Sequence, residues 1–276
     1  MKYQGRTPFL LQKVKNVAAN MNPLSKYLSN EYSQYGEDGI ISHIISVIGT
    51  QTRYCIEFGA WDGVHLSNCC NLVKNRGWSG LFIESDSTRH SQLAKNYEKN
   101  SGVVCINRFV DFRGPNRIDS ILSEHKVLHE PDIMSIDIDG CDYFIWESMC
   151  EFRPRLIVIE FNPTVPNDVL FVQAQDLAVN QGCSLLALIE LGRRKGYELV
   201  ATTLCNAFFI LREYYPLFGI VSNNIADMFS PSQDGRIFHG YDSTIHVAGM
   251  SHLVWSQIPL NNEDFQVLPE SLRKYG

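Results

Sequence analysis

Residues 54–63 are Tyr54-Cys55-Ile56-Glu57-Phe58-Gly59-Ala60-Trp61-Asp62-Gly63, a short apolar run that leads into a turn with two glycines. The run predicts a buried strand, and the residues after it predict an exit turn and a helix over residues 65–75. Gly59 permits a backbone or a ligand to come close, and Gly63 permits a tight turn. Ligands of open α/β sheets bind beyond the carboxyl ends of parallel strands. The pattern therefore predicts a ligand site, although many buried strands end in glycine turns without one.

The composition indicates one globular α/β domain with additions. The chain has 276 residues, of which 45% are hydrophobic and 20% are charged, and these fractions are ordinary for a folded protein with a sizeable core. The net charge is -6 and the basic residues are scattered along the chain. We therefore expect no nucleic-acid partner.

The N-terminus and the cysteines indicate the compartment. The apolar run at residues 8–11 is too short for a signal peptide or a spanning helix, so we expect no membrane partner and a cytoplasmic location. The eight cysteines include no C-x-x-C pair. Reduced, mostly buried thiols are therefore favoured over disulfides or a zinc site.

Acids stand at the ends of most of the predicted strands. A parallel sheet with right-handed crossovers is predicted from five apolar runs, each followed by a helical pattern: residues 54–58, 78–84, 103–106, 133–138 and 156–161. The carboxyl ends of these strands share one edge, and four of them carry acids: Glu57, Glu84, Asp137 with Asp139, and Glu160. Because a buried carboxylate without a partner is costly, the set favours a binding site over solvated acids at loop starts.

The last two predicted strands have to be antiparallel. Only residues 201–206 separate the apolar runs at residues 197–200 and 207–211, and this connection is too short for a helical crossover. The two runs therefore predict a hairpin, which places one antiparallel strand in an otherwise parallel sheet. A nicotinamide-dependent oxidoreductase would have another helix here and a G-x-G-x-x-G motif, which the chain lacks, so that class is disfavoured.

Taken together, these segments resemble the class I S-adenosylmethionine-dependent methyltransferases and, within them, the FkbM-like family. The resemblance extends over residues 33–211 and rests on pieces that occur in the family's order. They are Ser33-Gln34-Tyr35-Gly36-Glu37-Asp38, Glu57-Phe58-Gly59-Ala60-Trp61-Asp62-Gly63, Gly77-Trp78-Ser79-Gly80-Leu81-Phe82-Ile83-Glu84, Asp137-Ile138-Asp139-Gly140, Ile159-Glu160-Phe161-Asn162 and Lys195-Gly196-Tyr197. One departure is Trp61, which stands where many class I enzymes have a third glycine. The resemblance implies a Rossmann-like, three-layer α/β/α fold around a seven-stranded, mostly parallel sheet with a C-terminal antiparallel hairpin strand.

The resemblance also implies where S-adenosylmethionine binds. Glu84 would hold the ribose hydroxyls, Asp111 or its neighbours would lie near the adenine, and Asp137 would lie near the methionine end. The other cofactor-binding residues implied are Glu57, Gly59, Ala60, Gly63, Asn68 and Ser85. The residues themselves support the ribose assignment, because Glu84 follows Gly63 at about the 20-residue spacing of the ribose-binding acid in dinucleotide sites.

The acids at the ends of the fourth and fifth strands are the candidates for chemistry. Methyl transfer from a sulfonium to oxygen is an in-line displacement, so it needs positioning above all, and a base where the acceptor holds its proton tightly. Asp139 is the leading base candidate. The alternatives are Asp137, Asp142 and Glu160, with Asn162 as an orienting group.

The same strand ends predict a candidate metal site. Asp139, Glu160 and Asn162 lie at the ends of neighbouring predicted strands, and their oxygen atoms would suit Mg²⁺ or Mn²⁺. A hydrogen-bonded polar network without a metal fits the same residues.

The chain divides into three predicted segments. Residues 1–32 are an N-terminal extension with a short helix around residues 10–19, residues 33–215 are the methyltransferase domain, and residues 216–276 are a cap packed on it. Ser33 is expected to cap the first helix of the domain. We predict an S-adenosylmethionine-dependent methyltransferase that acts on oxygen of a small-molecule acceptor such as a sugar. The alternative is a catalytically silent module of the same fold that binds a glycan or a protein partner.

Overall fold

The computed structural model describes residues 22–231 and 235–273, so the helix predicted around residues 10–19 lies outside the described residues. The described strands are β1 (Tyr54–Phe58), β2 (Ser79–Glu84), β3 (Val103–Asn107), β4 (Ile133–Ile136), β5 (Leu156–Glu160), β6 (Tyr197–Thr202), β7 (Asn206–Leu211), β8 (Arg236–His239) and β9 (Ile245–Ala248). The described α-helices are α1 (Glu37–Ile48), α2 (Cys70–Arg76), α3 (Ser87–Tyr97), α4 (Ile118–Glu124), α5 (Asp142–Ser148), α6 (Leu185–Lys195) and α7 (Ile225–Met228).

Within the described residues, β1 to β7 form one sheet in the order β3-β2-β1-β4-β5-β7-β6, and β8 pairs with β9 separately. Strands β1 to β5 pair with one another in parallel. Strand β7 is antiparallel to both β5 and β6, and only residues 203–205 connect β6 to β7. The predicted hairpin is therefore confirmed. The sheet has the strand order of the Rossmann-like fold of class I methyltransferases.

Apolar layers cover both faces of the sheet. On β1, Ile56 and Phe58 belong to a buried cluster that includes residues of α4, α5 and α6, whereas Cys55 belongs to the cluster that includes α1, α2 and α3. This alternation is the period of a strand. All eight cysteines are free and six of them are buried, as predicted. The two clusters confirm the three-layer α/β/α arrangement.

The helix predicted over residues 65–75 is shorter than expected. Helix α2 begins only at Cys70, and Leu66 has a left-handed φ of 57°. Residues before α2 are held by the Glu57 carboxylate, which accepts hydrogen bonds from the Ser67 hydroxyl (2.5 Å) and from the N–H of Asn68 (2.8 Å). This attachment to β1 takes residues 65–69 out of the helix, so the prediction was wrong for them.

Two buried acids at the start of α1 fold the segment that precedes it. The Asp38 carboxylate accepts three backbone N–H groups from residues 31–33, and the Ser33 hydroxyl accepts the N–H of Asp38 (3.0 Å). The N-cap position of α1 is Gly36, so Ser33 does not cap the helix as predicted but bonds an N–H of its first turn from three residues further back. The Glu37 carboxylate accepts the N–H groups of residues 34–35. These bonds lay the segment against the edge where the parallel strands end.

A buried ion pair stabilises the opposite edge of the sheet. Asp132 precedes β4 and Arg155 precedes β5, and both side chains are 2% exposed. The guanidinium of Arg155 binds the Asp132 carboxylate and also donates to the carbonyls of Ile48 and Gly49. Burial opposes ionisation of Asp132, but hydrogen bonds from Arg155 and from backbone N–H groups hold its pKa below the usual value.

Replacement of Arg155 with leucine is expected to lower the free energy of unfolding by about 3 to 5 kcal/mol, because it leaves a buried carboxylate without its partner. Urea denaturation at pH 7 measures the difference. Arg153→Leu is the matched control, since Arg153 forms its ion pairs with Glu130 and Glu213 at the surface, and we expect a loss of at most about 1 kcal/mol. Equal losses in the two variants would contradict the assigned role of the buried pair.

The described residues beyond 216 contact the same core. Met228 and Phe229 are buried, and the ring of Phe229 packs edge-on against Phe161, with 4.9 Å between the ring centroids. The Thr202 hydroxyl donates a hydrogen bond to the carbonyl of Met228 (2.5 Å). The division of the chain into three segments stays a prediction.

Candidate functional site

Two cavities lie where the parallel strands end. The first, the strand-end cavity, measures about 390 Å³ and is lined by the exit turns of β1 to β5. The second, the loop cavity, measures about 800 Å³ and is lined by the turn after β4 and by parts of residues 160–182. Asp139, Glu160, Asn180 and Trp255 line both cavities, so the two spaces meet at these side chains.

The two glycines of the β1 exit turn are required by close packing. A Cβ atom on Gly59 would lie 1.5 Å from the carbonyl oxygen of Asp137, and the residue has a left-handed φ of 71°. A Cβ on Gly63 would lie 2.4 Å from Leu93 and 2.7 Å from Tyr97, both on α3. Of the two, only Gly59 lines the strand-end cavity, whereas Gly63 packs on the helix. Both glycines are therefore required by packing within the protein, independently of any ligand.

Trp61 takes the backbone conformation that a glycine would have. Its φ is 49°, and its N–H donates a hydrogen bond to the Glu84 carboxylate (2.8 Å). The indole is 41% exposed, and the guanidinium carbon of Arg89 lies 4.5 Å from the ring centroid. The bulky side chain is therefore held at the rim against Arg89, and Trp61 and its neighbour Ala60 both line the strand-end cavity.

Glu84 connects the exits of β1 and β2. Its carboxylate accepts the N–H of Trp61 and the N–H of Asp86, each at 2.8 Å, and the side chain is 4% exposed. Glu84 and Ser85 both line the strand-end cavity, as the resemblance implied. A carboxylate oxygen has two lone pairs, so each oxygen of Glu84 retains one acceptor position.

The Glu84→Gln variant is expected to bind S-adenosylhomocysteine more weakly by about 1 to 3 kcal/mol, because the charged acceptor of the ribose hydroxyls is lost. Glutamine is chosen over alanine because one oxygen still accepts a backbone N–H. Calorimetric titration measures the affinity, and Glu98→Gln, on an exposed residue after α3, is the control. An unchanged affinity in a folded Glu84→Gln protein would refute the ribose assignment.

Glu57 and Asn68 form the floor between β1 and β4. The Glu57 carboxylate is 4% exposed and is engaged by Ser67 and by the N–H of Asn68, while the Asn68 amide donates to the Ser135 hydroxyl (3.0 Å). Burial raises the pKa of Glu57 to about 7. Both residues line the strand-end cavity. Their hydrogen bonds within the protein make them residues that shape the cavity.

The exit of β3 places the neighbours of Asp111 at the cavity. Phe109 and Val110 line the strand-end cavity, whereas the Asp111 carboxylate accepts the N–H of Arg113 (3.1 Å) and does not line it. Apolar side chains such as these suit the face of an adenine. Of the two alternatives for the adenine, Asp111 or its neighbours, the geometry therefore favours the neighbours Phe109 and Val110.

Three carboxyl groups form a cluster at the junction of the two cavities. Carboxylate oxygens of Asp137, Asp139 and Glu160 all lie within 4.8 Å of one another. Burial, followed by repulsion from the neighbouring carboxylates, raises the pKa of Asp137 and of Glu160 well above the usual range. Asp139 is exposed and has a left-handed φ of 58°, so its carboxylate is the accessible member.

Asp142 and Asn162 are engaged by their own loops. The Asp142 carboxylate accepts the N–H groups of Ile138 (2.9 Å) and Gly140 (3.0 Å), and burial raises its pKa to about 6. The Asn162 carbonyl oxygen accepts the N–H of Thr164 (3.0 Å), and its amide donates to a loop carbonyl. Both residues line the loop cavity, and Asp137 is the third acid of the cluster with Asp139 and Glu160.

Several cavity residues come from parts of the chain in which the sequence analysis predicted no site residue. Gln34 and Glu37 reach the strand-end cavity from the segment at α1, and the Glu37 carboxylate accepts the Thr203 hydroxyl (2.6 Å) and the Asn206 amide (3.3 Å). Trp255 reaches both cavities from the C-terminal region. The signal for Gln34 and Glu37 was the motif of residues 33–38, which carried the family resemblance and in which Ser33 alone was given a role, as a helix cap.

Comparisons with known proteins return distant structural similarities. No protein-family model matches the chain, and no curated protein matches it. The N-terminal domain of EvdMO1, crystallised in the presence of SAH and D-fucose, is 12% identical, with 64% of this chain and 82% of that chain covered and a TM-score of 0.42. A SAM-dependent methyltransferase from Aquifex aeolicus is 10% identical, with 61% and 87% covered and a TM-score of 0.37. An O-methyltransferase family protein from Burkholderia thailandensis is 10% identical, with 64% and 58% covered and a TM-score of 0.39.

Similarities at this level add nothing to the fold assignment, which rests on the strand order of the sheet. The helices of the described residues include none with the length and apolar character needed to cross a membrane.

Proposed function

We propose that the chain is an S-adenosylmethionine-dependent methyltransferase that methylates a hydroxyl oxygen of a small polar acceptor such as a sugar. The observation that carries the proposal is the meeting of the two cavities at Asp139 and Glu160. One cavity lies at the strand ends where this fold binds its cofactor. The other is larger and opens beside it. Carboxylates at the junction lie where a methyl group would pass from one ligand to the other.

The strand-end cavity fits the cofactor in its polarity. Four lining residues support this: Glu84, Phe109, Val110 and Asp137. Glu84 would accept from the ribose hydroxyls, Phe109 and Val110 would offer an apolar face to the adenine, and Asp137 would lie toward the methionine end. When bound, S-adenosylmethionine supplies a methyl group on a positively charged sulfur. The nearby carboxylates favour that charge electrostatically.

Asp139 is the proposed acceptor of the hydroxyl proton. As the oxygen–carbon bond forms and the carbon–sulfur bond breaks, the acceptor hydroxyl loses its proton, and an accessible carboxylate at the junction can take it. The raised pKa of Asp137 and of Glu160 lets these two share a proton, because like charges at this distance disfavour full ionisation. Asp139 is the exposed member of the cluster and faces the acceptor.

A divalent cation is the second way in which this cluster could activate the hydroxyl. Asp137, Asp139 and Glu160 would hold Mg²⁺ or Mn²⁺, since clustered carboxylate oxygens are the ligands these ions prefer. A bound cation would lower the pKa of a hydroxyl coordinated to it. This ligand set replaces Asn162 of the sequence-based prediction with Asp137.

Membership of the FkbM-like family is proposed as well. This proposal is supported by the set of motifs in residues 33–211. Two of these motifs have a physical role in the structure. The segment of residues 33–38 is folded by Glu37 and Asp38 against the strand ends, and the Asp137–Gly140 turn carries the acidic cluster.

A labelled screen tests the proposed function. The protein is incubated with small-molecule pools and with S-adenosylmethionine that carries a trideuterated methyl group, and mass spectrometry detects products with that group on oxygen. We expect a labelled product that the Asp139→Asn protein does not form at a comparable rate. A protein that binds S-adenosylhomocysteine and labels nothing in sugar-containing pools would instead support the silent module.

A further inference from the structure

The segment of residues 173–182, which follows β5, is a loop with a fixed shape. The Gln173 side chain is 4% exposed, its carbonyl oxygen accepts the N–H groups of Gln181 (2.8 Å) and Gly182 (2.7 Å), and its amide donates to the carbonyl of Val179 (2.5 Å). These bonds close the loop on itself from within. We call this segment the Gln173 loop.

The Gln173 loop spans the strand-end cavity from one side to the other. At one end it packs on Gly140, where a Cβ atom would lie 2.8 Å from the carbonyl oxygen of Val179 and 3.4 Å from the Cα of Asn180. At the other end the side chain of Gln175 accepts a hydrogen bond from the guanidinium of Arg113 (2.8 Å), just after the exit of β3. The loop therefore connects the β3 side of the cavity with the acidic β4 side.

Two side chains of the Gln173 loop reach the cavity. Leu177 lines the strand-end cavity and packs on the apolar cluster that contains Val110 and Cys141. Asn180 lines both cavities, and its side-chain amide forms no hydrogen bond with any residue in the described ranges. An amide with free donors and a free acceptor at the junction is available to a ligand.

We propose that the Gln173 loop is part of the cofactor site, an inference that rests on the proposed function. Leu177 covers the adenosine, opposite the β3 exit, and Asn180 hydrogen-bonds the part of the cofactor that lies beyond the ribose, beside Asp139. Gln173 is the positioning residue that holds both. The loop after β5 thus serves cofactor binding as well as the loop cavity.

Truncated ligands test the two contacts separately. S-Adenosylhomocysteine and adenosine are titrated by calorimetry into the parent, Leu177→Ala, Asn180→Ala and the control Leu170→Ala, which alters an exposed leucine of the same connection outside both cavities. Asn180→Ala is expected to lower the affinity for S-adenosylhomocysteine about tenfold, since one hydrogen bond to the ligand is lost. The affinity for adenosine is expected to stay unchanged. Leu177→Ala is expected to lower the affinity for both ligands about tenfold, since apolar contact with the adenosine is lost.

The outcomes distinguish a failure of the loop inference from a failure of the proposed function. A parent that binds S-adenosylhomocysteine while Asn180→Ala binds it equally well would overturn the inference and leave the proposed function in place. Equal losses for S-adenosylhomocysteine and adenosine in Asn180→Ala would also overturn the assigned contact. A parent that does not bind S-adenosylhomocysteine would refute the proposed function itself. Thermal unfolding checks that each variant is folded. If Leu177→Ala does not fold, the binding data for Asn180→Ala alone decide the inference.

Discussion

Replacement of Asp139 with asparagine is expected to lower turnover by roughly 100-fold or more, the lower end of what a positioned proton acceptor contributes. The shape of the side chain is kept while its charge and basicity are removed. The affinity for S-adenosylhomocysteine is expected to change little, because Asp139 lies at the junction with the loop cavity. Initial rates with the acceptor found by the labelled screen measure the first effect, and calorimetry measures the second.

Asp168→Asn is the matched control, since Asp168 is exposed on the connection after β5 and lines neither cavity. Chelation then separates the two roles of the cluster. Activity lost in EDTA and restored by Mg²⁺ or Mn²⁺ would indicate a cation held by Asp137, Asp139 and Glu160, whereas activity that is indifferent to EDTA would indicate Asp139 as the base. Parental turnover in Asp139→Asn would show that the chemical centre lies elsewhere.

Replacement of Gly59 with alanine is expected to abolish stable folding, by a loss of several kcal/mol that is comparable to the whole stability of a domain. The added Cβ atom would lie 1.5 Å from the carbonyl oxygen of Asp137, a backbone atom that cannot turn aside, and the left-handed φ of 71° adds strain. Circular dichroism and urea denaturation measure the loss.

Gly49→Ala is the control for backbone strain alone, because Gly49 has a φ of 69° and has no atom within 4 Å of its Cβ position. We expect that variant to lose about 1 to 2 kcal/mol. A Gly59→Ala protein as stable as Gly49→Ala would contradict the close approach of the β1 and β4 exits. The clash also means that a larger residue at Gly59 tests the fold and not the cofactor pocket.

The architecture could be predicted because it depends on features that are local in the sequence. The short connection of residues 201–206 excluded a helical crossover and so determined the antiparallel strand. Strands covered on both faces produce continuous apolar runs, and these were visible in the chain. Glu84 was predictable for a related reason, since its place at the end of a strand follows from the strand itself.

Side-chain use within the site could not be predicted in the same way. Asp142 and Asn162 looked like catalytic groups, but their oxygens accept backbone N–H groups of their own turns. Glu57 holds the segment before α2 and thereby shortens the predicted helix. The backbone conformation determines which carboxylates accept hydrogen bonds from nearby N–H groups. The residue type alone does not reveal this.

Residues contributed from a distance were also invisible in the sequence. Glu37 meets Thr203 and Asn206 across more than half of the chain, and Trp255 joins the junction from the C-terminal region. Neither has a spacing relation to the glycine turn that a pattern could detect. Trp61 is the opposite case, because many class I enzymes have a glycine at that position and the structure shows a left-handed φ of 49° there, with the indole 41% exposed at the rim of the cavity.

Calorimetric titration of the parent protein with S-adenosylhomocysteine tests the central claim most directly, because it requires no knowledge of the acceptor. We predict saturable binding with one ligand per chain, competition by S-adenosylmethionine and no saturable binding of NADH. The absence of binding at millimolar S-adenosylhomocysteine, in a sample shown to be folded by circular dichroism, would contradict the assignment of the strand-end cavity as a cofactor site.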